Sequence, residues 1–261
     1  KFLFYRGIGN FDLMLRLQAK GNDRFVVRNL SSEPVHSLIL LERTNEGKMR
    51  FAVHELLDGK QQQELQLPET DMSQNDLEKE IEVALVSAGL FRKEALAMIA
   101  TWRSSWFGET GTRMFYLLPE MQTERLLPLS IQPVPEESVR VMVGRLEIMT
   151  PDREQKLEGL LKAQANLQPE QIDPKSELGV ELAALGRFAE PALSRIVSSS
   201  KEPEVKRVAE KLIERLVNGP EDLWKANAIA IPSLPLVEDE KVKTEAREED
   251  SGEVEAAPNS N

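Results

Sequence analysis

Among the residues between positions 102 and 116, five could act together on a ligand: Trp102, Trp106, Glu109, Arg113 and Tyr116. Aromatic faces beside a carboxylate and a guanidinium are a means of holding a sugar ring or a peptide. These five residues form the candidate ligand-binding set. A second reading competes with it. Trp102 and Trp106 stand four positions apart on one stripe with Ala95, Met98 and Ile99, the spacing of ordinary helix packing. On that reading the tryptophans are core anchors and Glu109–Arg113 is a local ion pair. Hydrolysis of a glycoside would need a second carboxylate, and the sequence singles none out. No catalytic residue is assigned.

Other chemistries narrow quickly. The chain has no cysteine, which removes disulfides, thiolate nucleophiles and cysteine-ligated metal centres together. Its two histidines, His36 and His54, fall in strand-like runs without the Asp/Glu/His spacing of a metal site. No metal and no cofactor is expected. Gly7-Ile8-Gly9-Asn10 lacks the last glycine and the following helix of a dinucleotide fingerprint, and neither a Walker loop nor a G-x-S-x-G elbow occurs. Asn29-Leu30-Ser31 matches the N-glycosylation tripeptide, a pattern short enough to arise by chance.

Net charge is −11, of which residues 238–261 carry −6 and residues 1–237 carry −5. A mildly acidic body is the wrong balance for neutralising phosphates, so no nucleic-acid partner is expected. The apolar runs are too short for a transmembrane segment. A protein partner is the expectation, with Lys206, Lys211 and Arg215 as its candidate surface on an outward helix face. The sequence leaves the oligomeric state open.

The elements that must position these groups come in two styles. Up to residue 67 the pattern is period two: Phe11, Leu13, Leu15 and Leu17 alternate with Asp12, Met14, Arg16 and Gln18. Further runs at 24–29, 35–43, 49–54 and 61–67 are separated by turn chemistry at Lys20–Asp23, Ser31–Pro34 and Asp58-Gly59. Short strands at this spacing predict a small antiparallel sandwich.

Residues 72–107 predict a helical hairpin, capped by Ser73, with Leu77, Ile81, Ala84, Leu85 and Ala88 on one face and Gly89 as its stop. A strand follows at 113–118, then a proline-punctuated connector, then a strand over 139–149 with a bulge signal at Gly144. Thr150-Pro151 predicts a helix start with the hydroxyl as cap. Three more helices are opened by Asp173-Pro174, Glu190-Pro191 and Glu202-Pro203.

Two resemblances attach to these segments. The succession FVVRNLSSEPVHSLILLER with its LLDGK turn looks like an immunoglobulin-like module of exported proteins, without the cysteine pair and core tryptophan of antibody domains. LGRFAEPALSRIVSSSKEPEVKRVAEKLIERL resembles a HEAT repeat through Leu185, Gly186, Ala189, Pro191 and Leu193, then Val205, Ala209 and Leu212, with Lys206 where arginine is usual. One repeat cannot bury its own face, so the resemblance implies stacking on a neighbouring helix.

The fold class is therefore α+β: an immunoglobulin-like sandwich over 1–68, a helical hairpin plus strands over 69–150, and a HEAT-like helical array over 151–217. An extended strip over 218–237 and a disordered acidic tail over 238–261 complete the chain. The chain opens on Lys1 rather than Met, which suggests a processed or excised start. The expected function is a non-catalytic interaction or scaffold protein of a bacterial cell envelope, periplasmic or secreted rather than cytoplasmic. The alternative is a hydrolase or a carbohydrate- or peptide-binding protein using the tryptophan-rich stretch.

Overall fold

The computed structural model describes residues 12–164, 166 and 172–218. The strip and the acidic tail expected beyond Asn218 lie outside the described residues, as does the Gly7–Asn10 motif. What is described is a mixed α+β protein with antiparallel sheets.

The period-two runs form strands β1 (Leu15–Ala19), β2 (Arg24–Asn29), β3 (Val35–Arg43), β4 (Met49–Leu57) and β5 (Gln62–Gln66). Alternation sends Phe25, Val27 and Leu65 to one side of the β1–β2–β5 sheet. The facing side of a second sheet contributes Val35, Leu38, Leu40, Met114, Tyr116 and Ile148 to the same buried cluster. Each fully buried leucine or valine here stabilises by about 1.5–3 kcal/mol.

The second sheet has the order β4–β3–β6–β7, where β6 is Gly111–Leu117 and β7 is Val143–Ile148. Its pairing therefore crosses residue 68, because β3 accepts β6 as a neighbour with Leu41 opposite Arg113. Asn29 ties the two sheets together. Fully buried, it donates through Nδ2 to the carbonyls of Glu33 (2.7 Å) and Leu57 (3.2 Å). Its Oδ1 accepts from the backbone N–H of Ser31 at 2.9 Å. The asparagine of the glycosylation tripeptide is thus used inside the fold.

The outer face of the second sheet carries the hairpin of α1 (Gln74–Ser87) and α2 (Arg92–Arg103). Ser73 caps α1 by accepting from the N–H of Asp76 (3.1 Å), and Glu94 reaches back to the N–H of Phe91 (3.0 Å). Leu77, Ile81, Ala84 and Leu85 are buried as their spacing demands, whereas Ala88 at the helix end is exposed. Gly89 takes φ +105°, the left-handed stop expected of it.

Several local expectations are corrected. The proline-rich connector contains a helix, α3 (Glu120–Leu126). The strand expected from 139 begins at Val143, and β6–β7 run in unbroken register, so Gly144 is not a bulge. Instead the Tyr116 ring lies against it: a Cβ there would sit 2.4 Å from the ring carbons. The irregularity falls in β3 between His36 and Ile39, at Ser37 with φ +54°. Thr150 precedes α4 (Pro151–Ala163) without a side-chain capping bond. The Asp152 N–H is taken by Asn22 Oδ1 at 3.1 Å, an acceptor from the β1–β2 turn.

The remaining helices are α5 (Glu177–Leu185), α6 (Ala189–Ser199) and α7 (Pro203–Asn218). The Ser176 hydroxyl caps α5 by accepting from the N–H of Gly179 at 3.1 Å, so the helix starts after the Asp173-Pro174 turn rather than at it. Leu193, Ile196, Val205, Ala209 and Leu212 share one buried cluster with Leu157, Leu161 and Leu178, so α6 and α7 pack on α4 and α5. Among the described residues no helix is long and apolar enough to cross a membrane, and no group of three or more His, Asp or Glu could hold a metal ion.

Candidate functional site

The five residues singled out at 102–116 do not converge on one cavity. Helix α2 ends at Arg103, and residues Ser104–Gly108 form a π-helical turn. That wider turn carries Trp106 into the core between hairpin and sheet, where it is 8% exposed. Its ring meets Phe107 edge-on at 6.1 Å and Phe115 at 5.6 Å. Trp102, one turn earlier, is half-buried at the margin of the same cluster. Tyr116 is 4% exposed and belongs to the cluster between the two sheets. Successive residues of β6 face opposite ways, so Phe115 packs under the helices while Tyr116 packs under β1 and β2. Burial raises the Tyr116 phenol above its usual range. The void touching Trp106, Phe115 and Tyr116 measures about 10 Å³, too little for more than a single water.

Glu109 and Arg113 have different partners from those expected. Glu109 pairs with Arg145 Nη2 at 2.5 Å. Arg113, fully buried, donates to the carbonyls of Trp106 (3.1 Å) and Thr110 (2.9 Å). Its Nε lies 3.1 Å from Glu147 Oε1, close enough for an ion pair yet off the line of a hydrogen bond. Burial pushes the Arg113 guanidinium down to about 10, against the charge of Glu147, which raises it.

These contacts open onto a larger network. Arg145 bonds Glu147 (2.6 Å) and the carbonyl of Ser105, and stacks over the Phe188 ring at 5.1 Å. Arg153 and Lys156 of α4 both reach Glu181 of α5, at 2.9 and 2.7 Å. Burial acts to raise Glu181, but the hydrogen bonds from Lys156 and Arg153, with their charges, leave it below the usual carboxylate range. Paired charges join β7 to Glu109 beside the π-turn, a second set joins α4 to α5, and Arg145 over Phe188 links the sheet to the helical region. A sequence signal for this existed in Arg145-Leu146-Glu147, two opposite charges on one face of a strand, but nothing in the sequence marks what faces them.

Beside this network lies a groove of about 1340 Å³. One wall is the unbroken run Asp12–Ala19 and another is Arg145–Met149; Pro151, Arg153 and Glu154 of α4 and Pro191, Ala192 and Arg195 of α6 close it. Consecutive residues of β1 and of β7 reach the groove, as they do where a strand presents its edge. Among the described residues both are edge strands, for there β1 pairs with β2 alone and β7 with β6 alone.

The register shows which backbone groups face out. The Leu30 N–H bonds the Met14 carbonyl (2.7 Å) and the Lys20 N–H bonds that of Arg24 (2.8 Å). Even-numbered residues of β1 thus exchange bonds with β2, and Leu15, Leu17 and Ala19 turn their N–H and C=O away from it. The Leu118 N–H bonds the Met142 carbonyl at 2.9 Å, so Arg145 and Glu147 likewise turn theirs away from β6. Among the described residues no hydrogen bond meets Leu17 or Ala19 from the groove side. Leu15 is buried, while Leu17 and Ala19 are part-exposed.

Side chains around the groove carry Arg16, Lys60, Arg125, Arg145, Arg153 and Arg195 against Asp12, Glu147 and Glu154. Arg195 is paired with Glu154 at 3.1 Å. Burial acts to raise Glu154, yet hydrogen bonds from Arg195 and Ser199 and the Arg195 charge leave it lowered. Lys60 Nζ donates to the Leu30 carbonyl at 2.5 Å. Arg16 and Arg125 are exposed and have no carboxylate partner among the described residues. On α7, Lys206, Lys211 and Arg215 are half-buried rather than projecting freely into solvent.

Fold and groove together define a mixed α+β protein with an open cleft along two sheet edges. Comparison of the chain with protein-family models, with curated proteins and with solved structures found no match.

Proposed function

We propose that the chain is a non-catalytic protein-interaction module of a cell envelope, built on an immunoglobulin-like sandwich and a HEAT-like helical array, with the groove between β1, β7, α4 and α6 as its binding site. The observation that carries this reading is the pair of strand edges, unpaired among the described residues, that line one groove. An unpaired edge is a template for another chain, and main-chain pairing at such an edge is a recurring mode of peptide recognition. At about 1340 Å³ the groove exceeds the roughly 300–1,000 Å³ of small-molecule pockets, which favours a segment of chain as its occupant.

Two aromatic residues of the alternative reading are committed elsewhere, Trp106 and Tyr116 being packing groups of two different clusters, and the half-buried Trp102 stands at the margin of the first. Glu154 at the groove is paired with Arg195 and lies below the usual carboxylate range, a state suited to structure rather than to donating protons.

Panning a displayed library of random peptides on the full chain tests the proposal. Enriched sequences should lose binding to a variant with Gln18→Trp and Gln122→Trp, two groove-lining substitutions that fill the cleft. They should keep binding to Phe91→Ser, at an exposed position on the hairpin. Enrichment that survives groove filling and fails with the hairpin change overturns it.

A further inference from the structure

We infer that the occupant of the groove is an extended acidic segment of a partner protein, added as a strand to the free edge of β1; this rests on the reading of the groove as a binding site. Three independent observations converge. The edge has the right chemistry, because Leu17 and Ala19 present N–H and C=O groups toward the cleft with no bond from that side among the described residues. An extended chain alone offers matching groups at the same spacing.

The second observation is charge. The chain carries a net −11, yet the groove lining holds six cationic side chains against three carboxylates. Internal pairing consumes Arg145, Arg153 and Arg195. Left over are Arg16 on β1 itself and Arg125 on α3, both exposed, and Lys60, held by a carbonyl rather than a carboxylate, against a single carboxylate, Asp12. A positive cleft on an acidic molecule attracts acidic segments and repels basic ones.

The third is shape. Leu13, Met14, Leu17, Leu146, Phe188 and Ala192 supply apolar surface between the charges. A strand projects side chains alternately to two sides, so a segment alternating acidic and apolar residues would meet both kinds of surface.

Fluorescence polarisation with the full chain tests this. The probe is a pool of labelled decapeptides alternating Asp or Glu with Val, Ile, Leu or Phe, beside a Lys/Arg counterpart pool. Two further versions of the acidic pool are N-methylated at odd or at even amides, and oligothymidylate serves as a charge control. The acidic pool should bind and the basic pool should not. Arg16→Glu and Arg125→Glu, each checked for unchanged circular dichroism, should weaken binding at least fivefold. One N-methylated pool should lose at least tenfold and the other should match the parent, since an added strand uses one edge only. Equal binding of the basic pool, equal binding of both N-methylated pools, or full displacement by oligothymidylate overturns the inference. Groove-directed peptides from panning, with no binding of the acidic pool, would sink this inference and leave the interaction reading standing.

Discussion

Arg113 shows how much a single side chain can be asked to do. It sits in the middle of a sheet, fully buried, and satisfies two carbonyls of the turn above it while facing Glu147. Removing one partner of a buried pair leaves the other uncompensated, so Arg113→Ala should destabilise by about 3–5 kcal/mol in denaturant unfolding. A loss under about 1 kcal/mol would mean that water or another cation replaces it. Trp106→Ala should cost a similar ~3–5 kcal/mol through the cavity it leaves, and Trp102→Ala, at a half-buried ring, should cost clearly less. At this scale the sequence was half legible. Spacing put Trp102 and Trp106 on one apolar stripe, and both do touch the same cluster. It could not show that a π-turn at Ser104–Gly108 would sink Trp106 deeper than Trp102, because a 3.6-residue period assumes that the turn does not widen. Nor could it pair Glu109 with Arg145, 36 residues away, in place of its neighbour Arg113.

Among the elements, period-two alternation located β2 and β3 to the residue, and capping chemistry located α1. Pairing was the illegible part. That β6 joins β3, and so places hairpin and sheet in one layer arrangement, depends on contacts separated by some seventy positions in sequence. The shift of alternation at Gly144 predicts a bulge, but the glycine is a seat for the Tyr116 ring of the neighbouring strand β6. Gly144→Val should therefore overpack the sheet and lower stability by about 1–3 kcal/mol. A larger residue at Ala209, fully buried in the α6–α7 seam, should cost a similar ~1–3 kcal/mol, whereas Lys201→Ala at an exposed position should stay within about 0.5 kcal/mol.

Contact between α4 and α5 should also depend on pH. Glu181 has a folded pKa depressed below the 4.5 of the free side chain. Its contribution is fully present above that unfolded value and is lost as pH falls through the folded one. Thermal unfolding followed from pH 6 down to pH 3 should show this loss. Glu181→Gln should flatten that part of the profile and lower stability at pH 6 by about 1.5–3 kcal/mol, the worth of hydrogen bonds to a charged group. An unchanged acid limb in the variant would remove Glu181 from the account.

For the molecule as a whole, the groove is the feature that no local pattern announced. Its walls come from strands, a connector helix and two later helices, and only the folded register decides which backbone groups point into it. The sequence did carry two of its ingredients: a short first strand with alternating polarity and a mildly acidic body. The proposed binding site requires that β1 offer a free edge. Residue-resolved amide hydrogen exchange on the full chain, with no ligand added, reads this directly. Arg16 and Gln18, bonded to β2, should be protected, while Leu17 and Ala19 should exchange at least tenfold faster. Adding an acidic peptide should slow Leu17 and Ala19 and leave Arg16 and Gln18 as they were. If Leu17 and Ala19 are already as protected as their neighbours in the free chain, the edge is not open and the proposed binding site is wrong.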